Sequence, residues 1–227
     1  MCGRYVLSAN PTTVQRAFEL EDVPELAPRY NIAPTQPIPI ITDSAPKRLT
    51  LVQWGLVPSW SKDPSIGSRM FNARCETVAE KPSFRNAFKR RRCLVPADGF
   101  YEWMKDGSKK RPFFIHLSDR DVFAFAGLWE TWQGADGTEL ESCTIITTEP
   151  NALVRPLHNR MAVILHDTDY GTWLDPETPQ PVLLDMLQPY PAEAMAAYEV
   201  SPAVGNYRNE GPELIEPFTP PTQGQLL

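Results

Sequence analysis

Gly99-Phe100-Tyr101-Glu102-Trp103-Met104-Lys105-Asp106-Gly107-Ser108 decides the fold class, together with Pro112-Phe113-Phe114-Ile115-His116-Leu117 and Val122-Phe123-Ala124-Phe125-Ala126-Gly127-Leu128-Trp129. These are short runs rich in aromatic and β-branched residues. The first ends at Lys105-Asp106-Gly107-Ser108, whose Asp-Gly pair supplies the backbone that a tight hairpin demands. A second turn, Gly134-Ala135-Asp136-Gly137, leads into a strand-like run at 142–147. Working outward, residues 3–7, 39–42, 49–56, 93–96 and 161–165 also read as strands.

Helical patterns are fewer. Residues 11–20 suit a helix capped by Asn10 with Pro11 in its first position. Residues 83–92 place Phe84, Ala87 and Phe88 at helical spacing, and shorter helices are predicted at 151–157, 171–174 and 181–187. Residues 29–39 and 57–69 are broken by proline and read as irregular. Many strands joined by hairpins, with few scattered helices, predict an α+β fold: a mostly antiparallel, barrel-like sheet with flanking helices. One domain over residues 1–227 is expected, with a Pro/Gln/Gly-rich tail that frays from about 217.

Composition narrows the class. The 227 residues are 42% hydrophobic and 22% charged, ordinary for a soluble globular chain. No apolar run is long enough to span a bilayer, and Met1-Cys2-Gly3-Arg4-Tyr5 does not begin a secretory signal. A cytoplasmic protein with reduced thiols and no membrane association is therefore expected. The four cysteines and three histidines lack zinc-ligand spacing, so no metal or other cofactor is expected. The net charge is −6, yet residues 62–111 carry 13 basic and 6 acidic residues, net +7, against −13 elsewhere. Such segregation suits a local polyanion-binding face. A solvated helix end at Lys89-Arg90-Arg91-Arg92 explains part of it equally well.

Several residues could carry chemistry. Removal of Met1 would expose Cys2 as a 1,2-aminothiol, with an amine of pKa about 7.7–8.0 beside a thiol of about 8.5. The amine can condense with an aldehyde and the thiol can then close a thiazolidine, which no internal cysteine can do. A frayed terminus with an incidental cysteine is the alternative. Glu102 shares a strand face with Phe100 and Met104. If that face is inward, desolvation raises the carboxyl pKa toward neutrality, as suits a general acid–base; alternation leaves the outward orientation open. His158, just before the strand at 161–165, can shuttle protons or be structural. Asn72 can orient an amine or form a turn. Trp60 in a loop, near Arg69, Arg74 and Arg85, suits a groove that stacks bases and contacts phosphates, whereas Trp54 reads as core.

Together these motifs resemble the SOS response-associated peptidase (SRAP) family, whose members crosslink to abasic sites in single-stranded DNA. The matching pieces are Met1-Cys2-Gly3-Arg4-Tyr5, Tyr30-Asn31-Ile32-Ala33-Pro34-Thr35, Trp54-Gly55-Leu56-Val57-Pro58-Ser59-Trp60 and Asn72-Ala73-Arg74-Cys75-Glu76-Thr77. Others are Arg92-Cys93-Leu94-Val95-Pro96-Ala97-Asp98-Gly99-Phe100-Tyr101-Glu102-Trp103, Phe125-Ala126-Gly127-Leu128-Trp129, His158-Asn159-Arg160-Met161 and Val204-Gly205-Asn206. The resemblance covers nearly the whole chain.

The resemblance implies that Cys2 is the nucleophile, Asn72 positions its amine, Glu102 is the acid–base, and His158 assists proton transfer and crosslink reversal. It implies DNA contacts by Arg74 and Arg160, with Arg4 and Trp60 as further contributors. Its partner would be single-stranded DNA containing abasic sites, bound by a monomer that associates with the nucleoid when DNA is damaged. Autocatalytic removal of Met1 is implied too. An N-terminal-nucleophile peptidase or amidase acting on other substrates is the alternative activity, and a non-enzymatic nucleic-acid-binding barrel the third. Two positions depart from the family pattern: Ala162 stands where proline is usual, and Cys75 where a smaller non-thiol residue is usual.

Overall fold

The Asp-Gly hairpin forms as a two-residue loop, with Asp106 opposite Lys109 and Gly107 at φ +58. The computed structural model describes residues 2–219, so Met1 and the tail from 220 onward lie outside the described residues. Within them the elements begin with β1 (Tyr5–Leu7), α1 (Pro11–Ala17), β2 (Arg29–Ile32), β3 (Pro37–Thr42), β4 (Ala45–Trp54) and β5 (Asn72–Arg74). Then come α2 (Arg85–Arg90), β6 (Arg92–Ala97), β7 (Gly99–Asp106), β8 (Lys109–Leu117), β9 (Phe123–Gln133) and β10 (Glu139–Thr148). The order finishes with β11 (Met161–Ala162), β12 (Ile164–Leu165), α3 (Tyr170–Leu174), α4 (Gln180–Asp185) and β13 (Met195–Glu199).

Five strands close on themselves. β10 pairs with β4, β4 with β3, β3 with β6, β6 with β9, and β9 returns to β10. All these contacts are antiparallel except β4–β10. Closure removes free edges and encloses Ile38, Trp54, Val95, Phe125 and Ile145 in the main hydrophobic core. A second, fully antiparallel sheet runs β13-β8-β7-β1-β2. Its β1 sends Tyr5 into the barrel, edge-on to Trp54 at 5.4 Å and to Phe125 at 6.0 Å. The expected α+β class, with a mostly antiparallel barrel-like sheet and flanking helices, is the architecture found.

The differences from expectation have local causes. Residues 151–157 form turns rather than a helix, because Pro156 has no N–H to continue one. The run at 161–165 is split at Val163, which donates to Ile146 and accepts from Ala126, so β11 pairs with β10 and β12 with β9. β2, β5 and β13 were not expected as strands; they are short and lack clear alternation. At the expected start of the frayed tail, Pro217 bridges to Val200 and the Phe218 N–H donates to Glu199.

The basic run 89–92 is not one surface. Lys89 and Arg90 are exposed, Arg91 pairs with Glu130 at 2.6 Å, and Arg92 is 1% exposed. The Arg92 guanidinium donates to the carbonyls of Phe88 and Lys89 at the end of α2 and of Trp173 and Asp175 at the end of α3. One buried cation thus satisfies the open carbonyls of two helix ends. Burial lowers its pKa, and nearby Asp43 and Asp175 oppose that.

Candidate active site

Cys2 is held where the second sheet meets the barrel. The Arg4 carbonyl accepts from the Tyr101 N–H at 2.9 Å, and β1 pairs with β7 as Tyr5↔Phe100 and Val6↔Gly99. This antiparallel run brings the N-terminal residues alongside the β7 segment that carries Glu102. From the other side, β5 lies parallel to β10, with Asn72 opposite Ile145. The Asn72 side-chain amide donates to the Cys2 carbonyl at 2.7 Å. Asn72 Oδ1 is buried and has no hydrogen-bond partner among the described residues. Two distant strands thereby converge on residue 2.

Cys2 is fully buried and belongs to the main core. The sequence reading gave its thiol an ordinary pKa. Instead, burial first and the Glu102 charge second push the thiol far up, so it stays protonated at neutral pH.

Glu102 faces inward and is 2% exposed. Burial, chiefly, raises its pKa from 4.5 to about 7. Its neighbours explain why alternation could not orient it. Phe100, two residues back on the same face, packs in the main core, while Tyr101 packs with Val6, Phe114, Val200, Val204 and Leu214 in a second cluster. Both faces of β7 are covered at this end.

His158 follows the 151–157 turns, whose first residue, Asn151, accepts from the Val154 N–H through its side chain. His158 Nδ1 lies 3.0 Å from the Arg160 N–H and 3.2 Å from the Arg160 carbonyl, so the Arg160 backbone orients the ring through Nδ1. Desolvation, chiefly, lowers the ring pKa. Glu102 and His158 line a common cavity of about 560 Å³ with Arg4, Trp103, Lys105, Lys110, Pro112, Pro202 and Gly205.

The four residues expected to contact DNA separate into two pairs. Arg4 donates to Asn31 Oδ1 at 2.7 Å and to the Val204 carbonyl at 2.8 Å, and lies over the Trp103 ring. Arg160 pairs with both oxygens of Glu76 and donates to the Thr147 carbonyl at 2.6 Å. Arg4 and Arg160 are thus engaged by protein acceptors. Arg74 is exposed on β5, two residues from Asn72. Trp60 is 57% exposed with its indole N–H 3.4 Å from the Pro82 carbonyl, whereas Trp54 is fully buried as core.

The two departures are placed as well. Ala162 is buried in β11 opposite Thr147. Cys75 is half-buried at the end of β5, in the turn that carries Glu76. All four cysteines are free. Among the described residues, no cluster of three or more histidine, cysteine, aspartate or glutamate side chains is placed to hold a metal ion, and no helix is long and apolar enough to cross a membrane. Lys105 and Lys110 escaped the sequence reading. Their signal was the density of basic residues on either side of the Asp-Gly turn.

Known proteins resemble this chain over most of its length. The model of the family described as SOS response associated peptidase (SRAP) matches residues 1–207. The abasic site processing protein YoqW of Bacillus subtilis is 46% identical over 222 residues, covering 95% of this chain and 99% of its own. The abasic site processing protein YedK of Escherichia coli is 31% identical over 227 residues, covering 96% and 100%. The abasic site processing protein HMCES of Xenopus tropicalis is 30% identical over 262 residues, covering 95% and 78%. A crystal structure of a Bacteroides thetaiotaomicron protein superposes with a TM-score of 0.88 at 28% identity, covering 96% of this chain and all of that one.

Proposed function

The chain belongs to the SOS response associated peptidase family, and we propose that it processes abasic sites in single-stranded DNA by bonding to them through Cys2. The observation that carries the reading is the Asn72 hydrogen bond to the Cys2 carbonyl; the Glu102 charge acts on the same cysteine, and Glu102 and His158 line one cavity. The names of the relatives support the abasic site as substrate.

Removal of Met1 frees the Cys2 α-amine, and Asn72 Oδ1, without a partner among the described residues, accepts a hydrogen bond from it. The ring-opened abasic sugar presents an aldehyde. The amine attacks the carbonyl carbon and gives a carbinolamine. Glu102, with a pKa of about 7, donates a proton to the hydroxyl that leaves as water, and an imine remains. The Cys2 sulfur then adds to the imine carbon. Loss of the hydroxyl leaves that imine protonated, so its nitrogen takes up only the C=N electron pair, while the thiol proton passes to the Glu102 carboxylate and the acid–base returns to its starting state. One C–N and one C–S bond form, and one water is released. A thiol that stays protonated until the imine is in place is protected from premature oxidation.

Arg74 and Trp60 supply a phosphate contact and a stacking surface. The test is incubation of the mature protein with single-stranded DNA bearing one abasic site. A denaturation-resistant product of protein plus DNA less one water is expected. Absence of any such product from protein verified to begin at Cys2 would defeat the reading.

His158 has a separable role. Its ring, oriented through Nδ1 by the Arg160 backbone, serves the steps in which a leaving group must be protonated, including reopening of the thiazolidine. His158→Ala should form the crosslink more slowly and also release it more slowly. A formation time course followed by a chase with unlabelled abasic DNA separates the two. Release at the wild-type rate would remove His158 from the reverse step.

A further inference from the structure

Across the β7–β8 hairpin, Lys105 stands directly opposite Lys110. Like charges facing each other in an antiparallel pair cost stability, so the pair calls for a reason. The carboxylates of the same region are engaged elsewhere: Asp106 lies 3.8 Å from Arg111, and Arg111 also pairs with Glu199. Among the described residues, no ion pair involves Lys105 or Lys110. Both lysines are exposed, and both line the cavity that holds Glu102 and His158. Trp103 and Pro112, also opposite each other, continue the same strand face inward from the lysines. The Lys105 charge is also felt at His158, where it helps lower the ring pKa.

We propose that Lys105 and Lys110 form a phosphate-binding subsite that grips the single-stranded DNA backbone beside the reacting sugar. This rests on the reading of the site as an abasic-site crosslinker and adds to it where the strand enters. Two ammonium groups held on opposite strands of one hairpin present a fixed positive notch. A phosphodiester lying between them attracts both, and its single negative charge offsets part of the repulsion the free protein sustains. The cavity they share with Glu102 and His158 puts the bound phosphate at the same site as the chemistry. Because phosphates are common to all sequences, the subsite adds affinity without sequence preference.

The test uses mature full-length protein and two probes: a fluorescein-labelled, undamaged oligothymidylate for non-covalent binding, and the same strand with one abasic site for crosslinking. Lys105→Ala/Lys110→Ala is compared with wild type and with Lys109→Ala, a lysine of the same hairpin that does not line the cavity. Each phosphate neutralised on a single strand contributes about 0.7 to the slope of log affinity against log salt, so loss of this one phosphate contact should make the double variant shallower by about 0.7. Its affinity at low salt and its crosslinking rate at limiting DNA should each fall about tenfold. Lys109→Ala should follow wild type. An unchanged salt slope in a double variant that melts like wild type would overturn the subsite, as would a loss equalled by Lys109→Ala. Failure of wild type itself to crosslink would instead defeat the parent reading.

Discussion

Cys2→Ala should give no denaturation-resistant complex with abasic single-stranded DNA, a complete loss where the wild type gives a stable product. The substitution keeps the free α-amine, so an imine can still form, but an imine is hydrolysed readily. The sulfur makes the bond last, because it alone on this residue can close the five-membered ring. Non-covalent binding should survive within about twofold, since Arg74, Trp60 and the hairpin lysines do not touch the thiol. Folding should survive as well: removing one buried sulfur leaves a small cavity, worth about 1 kcal/mol. Cys2→Ser should at most yield a product that must be trapped with borohydride, because a hydroxyl closes the ring poorly. The readout is a denaturing gel with and without borohydride, on protein whose first residue has been verified by mass. A borohydride-independent crosslink from Cys2→Ala would refute the thiazolidine.

How far the sequence could be read depended on whether the deciding contacts were local. The hairpin at Asp106-Gly107 was legible because turn chemistry resides in adjacent residues. So was the exposed Trp60 set against the buried Trp54, where strand and loop context differ. The orientation of Glu102 was not legible, since Phe100 and Tyr101 are both fully buried, each in a different cluster. A strand covered on both faces carries no alternation to read. Arg92 sat in a basic run that looked like one solvated surface, and its acceptors at Trp173 and Asp175 are about eighty residues away. Residues Cys2, Asn72, Glu102 and His158 could be named as candidates from their chemistry and from the family motifs. Their convergence is a property of topology: β1 against β7, and β5 against β10. The raised thiol pKa likewise follows from complete burial, which the chain terminus gave no reason to expect.

Glu102→Gln should slow crosslink formation by about 10²–10⁴-fold, the span usual for removal of a general acid–base. The amide keeps the size and polarity of the side chain and loses the titratable proton, so a packing defect cannot account for the effect. Wild-type formation should show an inflection near pH 7, where the Glu102 carboxyl titrates, and the variant should lack it. Stability supplies an independent check. The folded-state pKa is raised from 4.5 to about 7. The favourable contribution of the protonated buried carboxyl is therefore full below about pH 4.5 and is lost as pH rises through about 7. Above that, holding the carboxylate inside costs about 3 kcal/mol relative to its free ionisation. Glutamine does not ionise, so Glu102→Gln should gain stability over wild type as pH is raised from 5 to 8, with about 3 kcal/mol as the upper bound. Urea unfolding of both proteins at the two pH values measures this. A site that is catalytic by virtue of a desolvated carboxyl should be slower and more stable when that carboxyl is neutralised. Equal formation rates would remove Glu102 from the proton transfers. A stability difference that does not change with pH would mean that its carboxyl is not the desolvated acid on which the mechanism depends.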